Sequence, residues 1–83
     1  MNTQQSTRES ITDGVITARV KVALAEDPIT ASYQIGVETL SGTVELTGFV
    51  ETPTVRGEAL HVAGLVDGVQ RVRNSLDVRT SEC

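Results

Sequence analysis

The stretch that decides the fold is residues 33–50, YQIGVETLSGTVELTGFV. Apolar and polar side chains alternate on both sides of Ser41 and Gly42, which is the pattern of strands with one buried face. Glycine readily adopts the positive φ that a tight hairpin turn needs. We therefore predict a β-hairpin with strands Tyr33–Leu40 and Thr43–Val50.

A helix is predicted before the hairpin, from Ser10 to Glu26. Ser10 followed by Asp13 resembles a capping box. The residue before a proline is pushed out of helical backbone, so Asp27-Pro28 ends the helix. Two apolar stripes lie on roughly opposite sides of this helix. They are Ile16, Val20, Ala23 and Leu24, and Ile11, Val15, Ala18, Val22 and Ala25.

A second helix and a third strand follow the hairpin, at Pro53–Asp67 and Val69–Arg79. Thr52 suits the N-cap and Pro53 the first helical position. Gly68 is well placed to be the left-handed residue that stops the helix. In the last strand, one face carries Val72, Asn74, Leu76 and Val78, and the other carries Arg71, Arg73, Ser75, Asp77 and Arg79.

The order of elements predicts an α+β fold, an αββαβ two-layer sandwich with a three-stranded mixed sheet and two helices on one face. We expect one domain at residues 10–79, a disordered polar N-terminus at 1–9 and a flexible tail at 80–83. The chain shows no signal peptide and no apolar run of the ~20 residues that a membrane span needs. As written it is expected to be cytoplasmic, or periplasmic if it is a mature or trimmed chain.

Composition argues against several function classes. The formal net charge is −4, and the only aromatic residues are Tyr33 and Phe49. Nucleic-acid binding is therefore not expected, because stacking aromatics and a basic face are missing. An enzyme is not expected either, since the single histidine, His61, falls on a solvated helix face with Glu58 as its surface partner. A lone Cys83 makes no internal disulfide, and no metal or cofactor is expected.

An ordered set of segments resembles the bacterial BON domain family, over about residues 13–79. These segments are ITARVKVAL (16–24), Asp27-Pro28, IGVET (35–39), GTVELTGFV (42–50), Arg56, Ala59, Ala63, VDGV (66–69) and VRNSLDV (72–78). The resemblance implies a non-enzymatic binding module, associated with phospholipid or the envelope and with osmotic stress. It also implies potassium binding as a weaker alternative, because a cytoplasmic relative binds that ion.

Arg71, Arg73 and Arg79 are the candidate contacts to phosphate head groups. The alternative favoured by the sequence is cross-strand pairing with Glu38 and Glu45, which neutralises the strip.

Ile11, Val15 and Val22 are a second candidate surface, either for self-association or for a membrane. The alternative favoured here is that they cover the edge of the second helix. Self-association would make the chain a soluble cytoplasmic homo-oligomeric interaction module.

Four residues are predicted to have structural roles. Gly42 serves the turn, Gly48 gives room to a crossing helix or marks a bulge, and Gly68 ends a helix. Asn74 falls on the buried-side register, so it needs a hydrogen-bond partner, for which the loop around Gly68 is the candidate.

Overall fold

The computed structural model describes residues 12–79. Its elements are α1 (Asp13–Glu26), β1 (Gly36–Leu40), β2 (Thr43–Val50), α2 (Pro53–Gly64) and β3 (Arg71–Val78). The central strand, β2, is antiparallel to β1 and parallel to β3. The predicted α+β class and the αββαβ order with a mixed three-stranded sheet are confirmed. The predicted segments 1–9 and 80–83, together with Ile11 and Cys83, lie outside the described residues.

The first helix begins later than predicted. Thr12, not Ser10, is the N-cap: its backbone is extended and its hydroxyl oxygen accepts the Val15 N–H at 3.4 Å. The predicted Ser10–Asp13 capping box is therefore wrong. The Asp13 carboxylate instead accepts the backbone N–H groups of the hairpin turn, as described below.

The hairpin turn has positive φ at both central residues, 50° at Ser41 and 82° at Gly42. Positive φ at both positions defines a type I′ turn, whose twist matches that of the flanking strands. The Asp13 carboxylate accepts the N–H of Ser41 at 2.9 Å and that of Gly42 at 3.2 Å. The start of α1 is thus fastened to the turn. β2 has its predicted bounds, whereas β1 begins at Gly36 instead of Tyr33.

Gly48 has a φ of +119°, and a Cβ there would lie 2.9 Å from the Gln34 carbonyl oxygen. The neighbour that needs the space is the backbone leading into β1 and not a crossing helix, which was one of the two roles predicted for Gly48. The alternation of strand residues places Gly48 on the buried side but does not reveal what approaches it.

The second helix ends at Gly64, three residues before the predicted end at Asp67. Thr52 caps it by accepting the Val55 N–H at 3.2 Å, and Pro53 occupies its first turn. The N–H groups of Leu65 and Val66 then bond three residues back, so the chain leaves the helix in a tight turn. Gly68 does have a positive φ, 99°, but in the turn that enters β3. Its predicted role as the helix stop is wrong.

A single aliphatic core lies between the helices and the sheet. Its buried members are Ile16, Val20, Leu24, Val37, Val44, Leu46, Val50, Val55, Ala59, Ala63 and Leu76. Three of them, Ile16, Val20 and Leu24, belong to the first of the two predicted stripes of α1. This stripe therefore faces the sheet, and we call it the inner stripe. Neither helix of the described chain is long and apolar enough to cross a membrane.

Asn74 shares a register with the buried Leu76 of β3, as predicted, but its own side chain is exposed. Asn74 Oδ1 accepts the Leu76 N–H at 3.0 Å. The predicted bond to the loop around Gly68 is therefore wrong, since the partner is two residues away in the same strand.

Candidate ligand-binding surfaces

Within residues 12–79, one face of the sheet carries no helix, and we call it the open sheet face. Strand alternation places on it Glu38, Leu40, Thr43, Glu45, Thr47, Phe49, Arg71, Arg73, Ser75, Asp77 and Arg79. All three candidate arginines are exposed. The face also holds three carboxylates, so its arginines and carboxylates balance in charge.

Arg71 and Arg73 lie at the end of this face next to the hairpin turn. Arg73 is in register with Glu45, which is in turn opposite Glu38, and all three line one shallow concavity with Arg71. The Glu45 carboxylate accepts a 2.6 Å hydrogen bond from Ser75 Oγ. The predicted neighbours are thus brought together, and the negative field of Glu38 and Glu45 weakens the phosphate-binding potential of this end.

Arg79 lies at the other end of the same face. It follows Arg71 by eight positions of extended backbone, a distance of roughly 26 Å. Its guanidinium carbon lies 4.0 Å from the centroid of the Phe49 ring, within cation–π range. The Arg79 N–H donates to the Val50 carbonyl oxygen at 2.8 Å, which anchors the backbone beside Phe49. The three arginines therefore form two separate groups instead of one strip.

Phe49 is a candidate site residue that the sequence analysis missed. Its ring is 52% exposed, although aromatic side chains are usually counted toward a core. The signal was present in the alternation of β2, because Phe49 shares its parity with Thr43, Glu45 and Thr47 and not with the buried valines and leucine.

The second apolar stripe of α1 is exposed to solvent. Val15 is 41% exposed and Val22 55%, and Ala18 and Ala25 are also exposed. We call these four residues the α1 outer face. The interpretation that Val15 and Val22 cover the edge of the second helix is wrong, because α1 meets the sheet and α2 through its inner stripe. Ile11, the remaining predicted member, lies outside the described residues.

A carboxyl pair joins the end of α1 to α2. The main cause that raises the pKa of Glu58 above its ordinary value of 4.5 is a hydrogen bond from its protonated carboxyl to Asp27, and burial and the Asp27 charge raise it further. His61 lowers the pKa of Glu58 only as a smaller, opposing effect. Asp27 thus affects the pKa of Glu58 more than the predicted partner His61 does, and both groups act on it. Within residues 12–79, no group of three His, Cys, Asp or Glu side chains is placed to hold a metal ion.

Comparison with known proteins agrees with the fold. Residues 12–80 match the sequence model of the BON domain, and this range includes the whole described region. The chain is 41% identical to the osmotically-inducible protein Y of Escherichia coli (strain K12) over 70 residues. The match spans 84% of this chain and 35% of that protein, so the chain corresponds to about a third of its relative. This chain belongs to the BON domain family.

Proposed function

We propose that this chain is a non-enzymatic binding module whose open sheet face contacts the head groups of anionic phospholipids. The observation that carries the proposal is the Arg79–Phe49 pair, with its 4.0 Å separation and its half-exposed ring. A guanidinium binds phosphate with paired hydrogen bonds, and an aromatic ring suits the boundary between head groups and acyl chains. Arg71 and Arg73 lie on the same face and extend the contact.

Charge decides how strong such a contact is. The chain carries a formal net charge of −4, so its overall field repels an anionic bilayer. Binding therefore depends on the local arginines and weakens steeply as salt rises. The name of the related osmotically-inducible protein Y supports a stress-related role for the module.

Vesicle flotation tests the proposal. The chain should float with mixed phosphatidylcholine–phosphatidylglycerol vesicles at low salt and stay behind with phosphatidylcholine alone. Arg79→Glu and Phe49→Ala should each reduce flotation, and Arg71→Glu with Arg73→Glu should reduce it further. Arg19→Glu on α1 is the matched control, since it makes the same charge change away from the open sheet face. Flotation that survives Arg79→Glu, or that Arg19→Glu abolishes equally, contradicts the proposal.

A second candidate function is self-association through the α1 outer face. Its support is the solvent exposure of Val15 and Val22 on a helix face that no described element covers. Two such helices could bury these valines against each other, with Ala18 and Ala25 allowing close approach. Light scattering should then show a concentration-dependent dimer that Val22→Glu abolishes and Leu40→Glu, on the open sheet face, leaves intact. A monomer at every concentration contradicts it.

Potassium binding stays a prediction, with a potassium-specific thermal shift against sodium as its measurement.

A further inference from the structure

The outer edge of β1 leaves backbone hydrogen-bonding groups facing away from the sheet. In a hairpin with a two-residue turn, Leu40 and Thr43 form a hydrogen-bonded pair, and pairing then alternates along the strand. Gly36, Glu38 and Leu40 therefore bond to β2, whereas the N–H and C=O groups of Val37 and Thr39 point outward. Within residues 12–79, no further strand lies beyond β1.

The other edge of the sheet is protected differently. On β3 the N–H groups of even-numbered residues point outward, because the Arg79 N–H and those of its odd-numbered neighbours face β2. One of these outward donors, the Leu76 N–H, is bonded by the side chain of Asn74. A side chain that occupies an edge donor hinders the pairing of another strand there. β1 is thus the more open of the two edges.

Concave surface follows the outer side of β1, and we call it the β1 groove. One part is lined by Asp13, Gly14 and Thr17 of α1 and by residues 37–40, and it continues onto the open sheet face at Glu45 and Arg73. The other part is lined by Lys21, Leu24 and Ala25 and by residues 33–36. A Cβ on Gly14 would have no heavy atom within 4 Å, so the α1 side has room. An edge strand beside a helix is the arrangement that accepts an extended peptide in strand-addition complexes.

The charges at the groove indicate what kind of segment fits. Arg73, Glu45 and Glu38 lie in one row across the three strands. The two glutamates are directly opposite each other, which is unfavourable for like charges. A cationic side chain on the far side of Glu38 would relieve this repulsion and continue the row.

We propose that an extended segment of a partner protein adds to β1 as a fourth strand, with Lys or Arg beside Glu38. Its neighbours on the other face lie next to Gly14 and Thr17 of α1, so they are small or aliphatic. A second copy of β1 fits less well, because antiparallel pairing centred on Glu38 would bring the two Glu38 carboxylates together between the two Glu45 side chains.

The probe is the blocked peptide acetyl-Ser-Val-Thr-Val-Lys-Val-Thr-Val-Ser-amide, titrated against the labelled chain by NMR. We expect saturable shifts and slower hydrogen exchange at the Val37 and Thr39 amides. A peptide with Glu in place of Lys should bind about two- to fivefold more weakly. Glu38→Lys should reverse this preference, and Glu51→Lys, the same charge change away from the groove, should leave it unchanged.

Three results would overturn the proposal. A peptide that is N-methylated along its pairing edge and binds equally well would exclude strand addition. Shifts confined to β3 or to the α1 outer face would place the peptide elsewhere. Concentration-dependent protection of Val37 and Thr39 without any peptide would assign the edge to a second copy of this chain.

Discussion

Gly48 of β2 meets the backbone of Gln34, whose carbonyl oxygen lies 2.9 Å from where a Gly48 Cβ would be. The φ of Gly48, +119°, is one that L-residues rarely adopt. The segment that enters β1 therefore reaches β2 backbone to backbone, and it does so only because residue 48 lacks a side chain.

Gly48→Ala is expected to lower the free energy of unfolding by roughly 2–4 kcal/mol, from backbone strain and crowding against Gln34. Urea denaturation followed by circular dichroism measures it. Gly57→Ala is the control, because a Cβ in that exposed helical position meets no atom within 4 Å. It should stabilise the chain by about 0.5–1 kcal/mol through helix propensity. Equal urea midpoints for the two variants would contradict this explanation.

Asp13→Ala is expected to lower the free energy of unfolding by about 1–2 kcal/mol, because the carboxylate holds two N–H groups of the hairpin turn from the start of α1. The same denaturation assay measures the loss. Glu26→Ala removes a carboxylate at the opposite end of α1, where the helix dipole disfavours it, and should not destabilise the chain. Equal losses of unfolding free energy in the two variants would mean that the bonds to the Ser41 and Gly42 N–H groups do not stabilise the chain.

Thr30→Val tests the end of α1. Thr30 is 1% exposed, and its hydroxyl donates to the Leu24 carbonyl oxygen at 2.7 Å. Valine keeps the shape but leaves that carbonyl without its donor, at a cost of about 1–2 kcal/mol. Thr54→Val, on the exposed first turn of α2, should change stability little by comparison. No difference between the two urea midpoints would refute the role of the Thr30 hydroxyl.

Glu58→Gln tests the carboxyl pair through its pH dependence. The pKa of Glu58 is raised in the folded chain, chiefly by its hydrogen bond with Asp27. A raised folded pKa adds stability that is complete below the ordinary value of 4.5 and is lost as pH rises through the folded value. The difference in urea midpoint between Glu58→Gln and wild type should therefore grow in favour of the variant as pH rises from below 4.5 to neutral. A flat difference for Glu58→Gln would contradict the pairing.

The sequence predicted those elements that short-range signals define. Thr43–Val50 and the Thr52–Pro53 helix start are correct because alternation, cap and proline act within a few residues. The end of α2 was misplaced because Gly68 offers a left-handed backbone that another turn uses. Local rules recognise the conformation of such a glycine but not which element it serves.

Contacts between distant segments account for the remaining errors. Asn74 has the register of the buried Leu76, yet its own side chain is exposed, and strand alternation does not reveal this difference. Asp27 raises the pKa of Glu58 from the end of α1, across to α2, so no spacing within one helix reveals this effect. The Arg79–Phe49 pair likewise joins two strands whose parallel register is a tertiary property.

The most direct measurement asks which surface meets lipid. Anionic bicelles that contain a lipid with a gadolinium head group broaden the NMR signals of nearby amides. Contact through the open sheet face predicts broadening centred on β3 and on Phe49, with the amides around Val15 and Val22 unaffected. Broadening centred on the α1 outer face, or none with bicelles at low salt, would contradict phospholipid binding by Arg79 and Phe49.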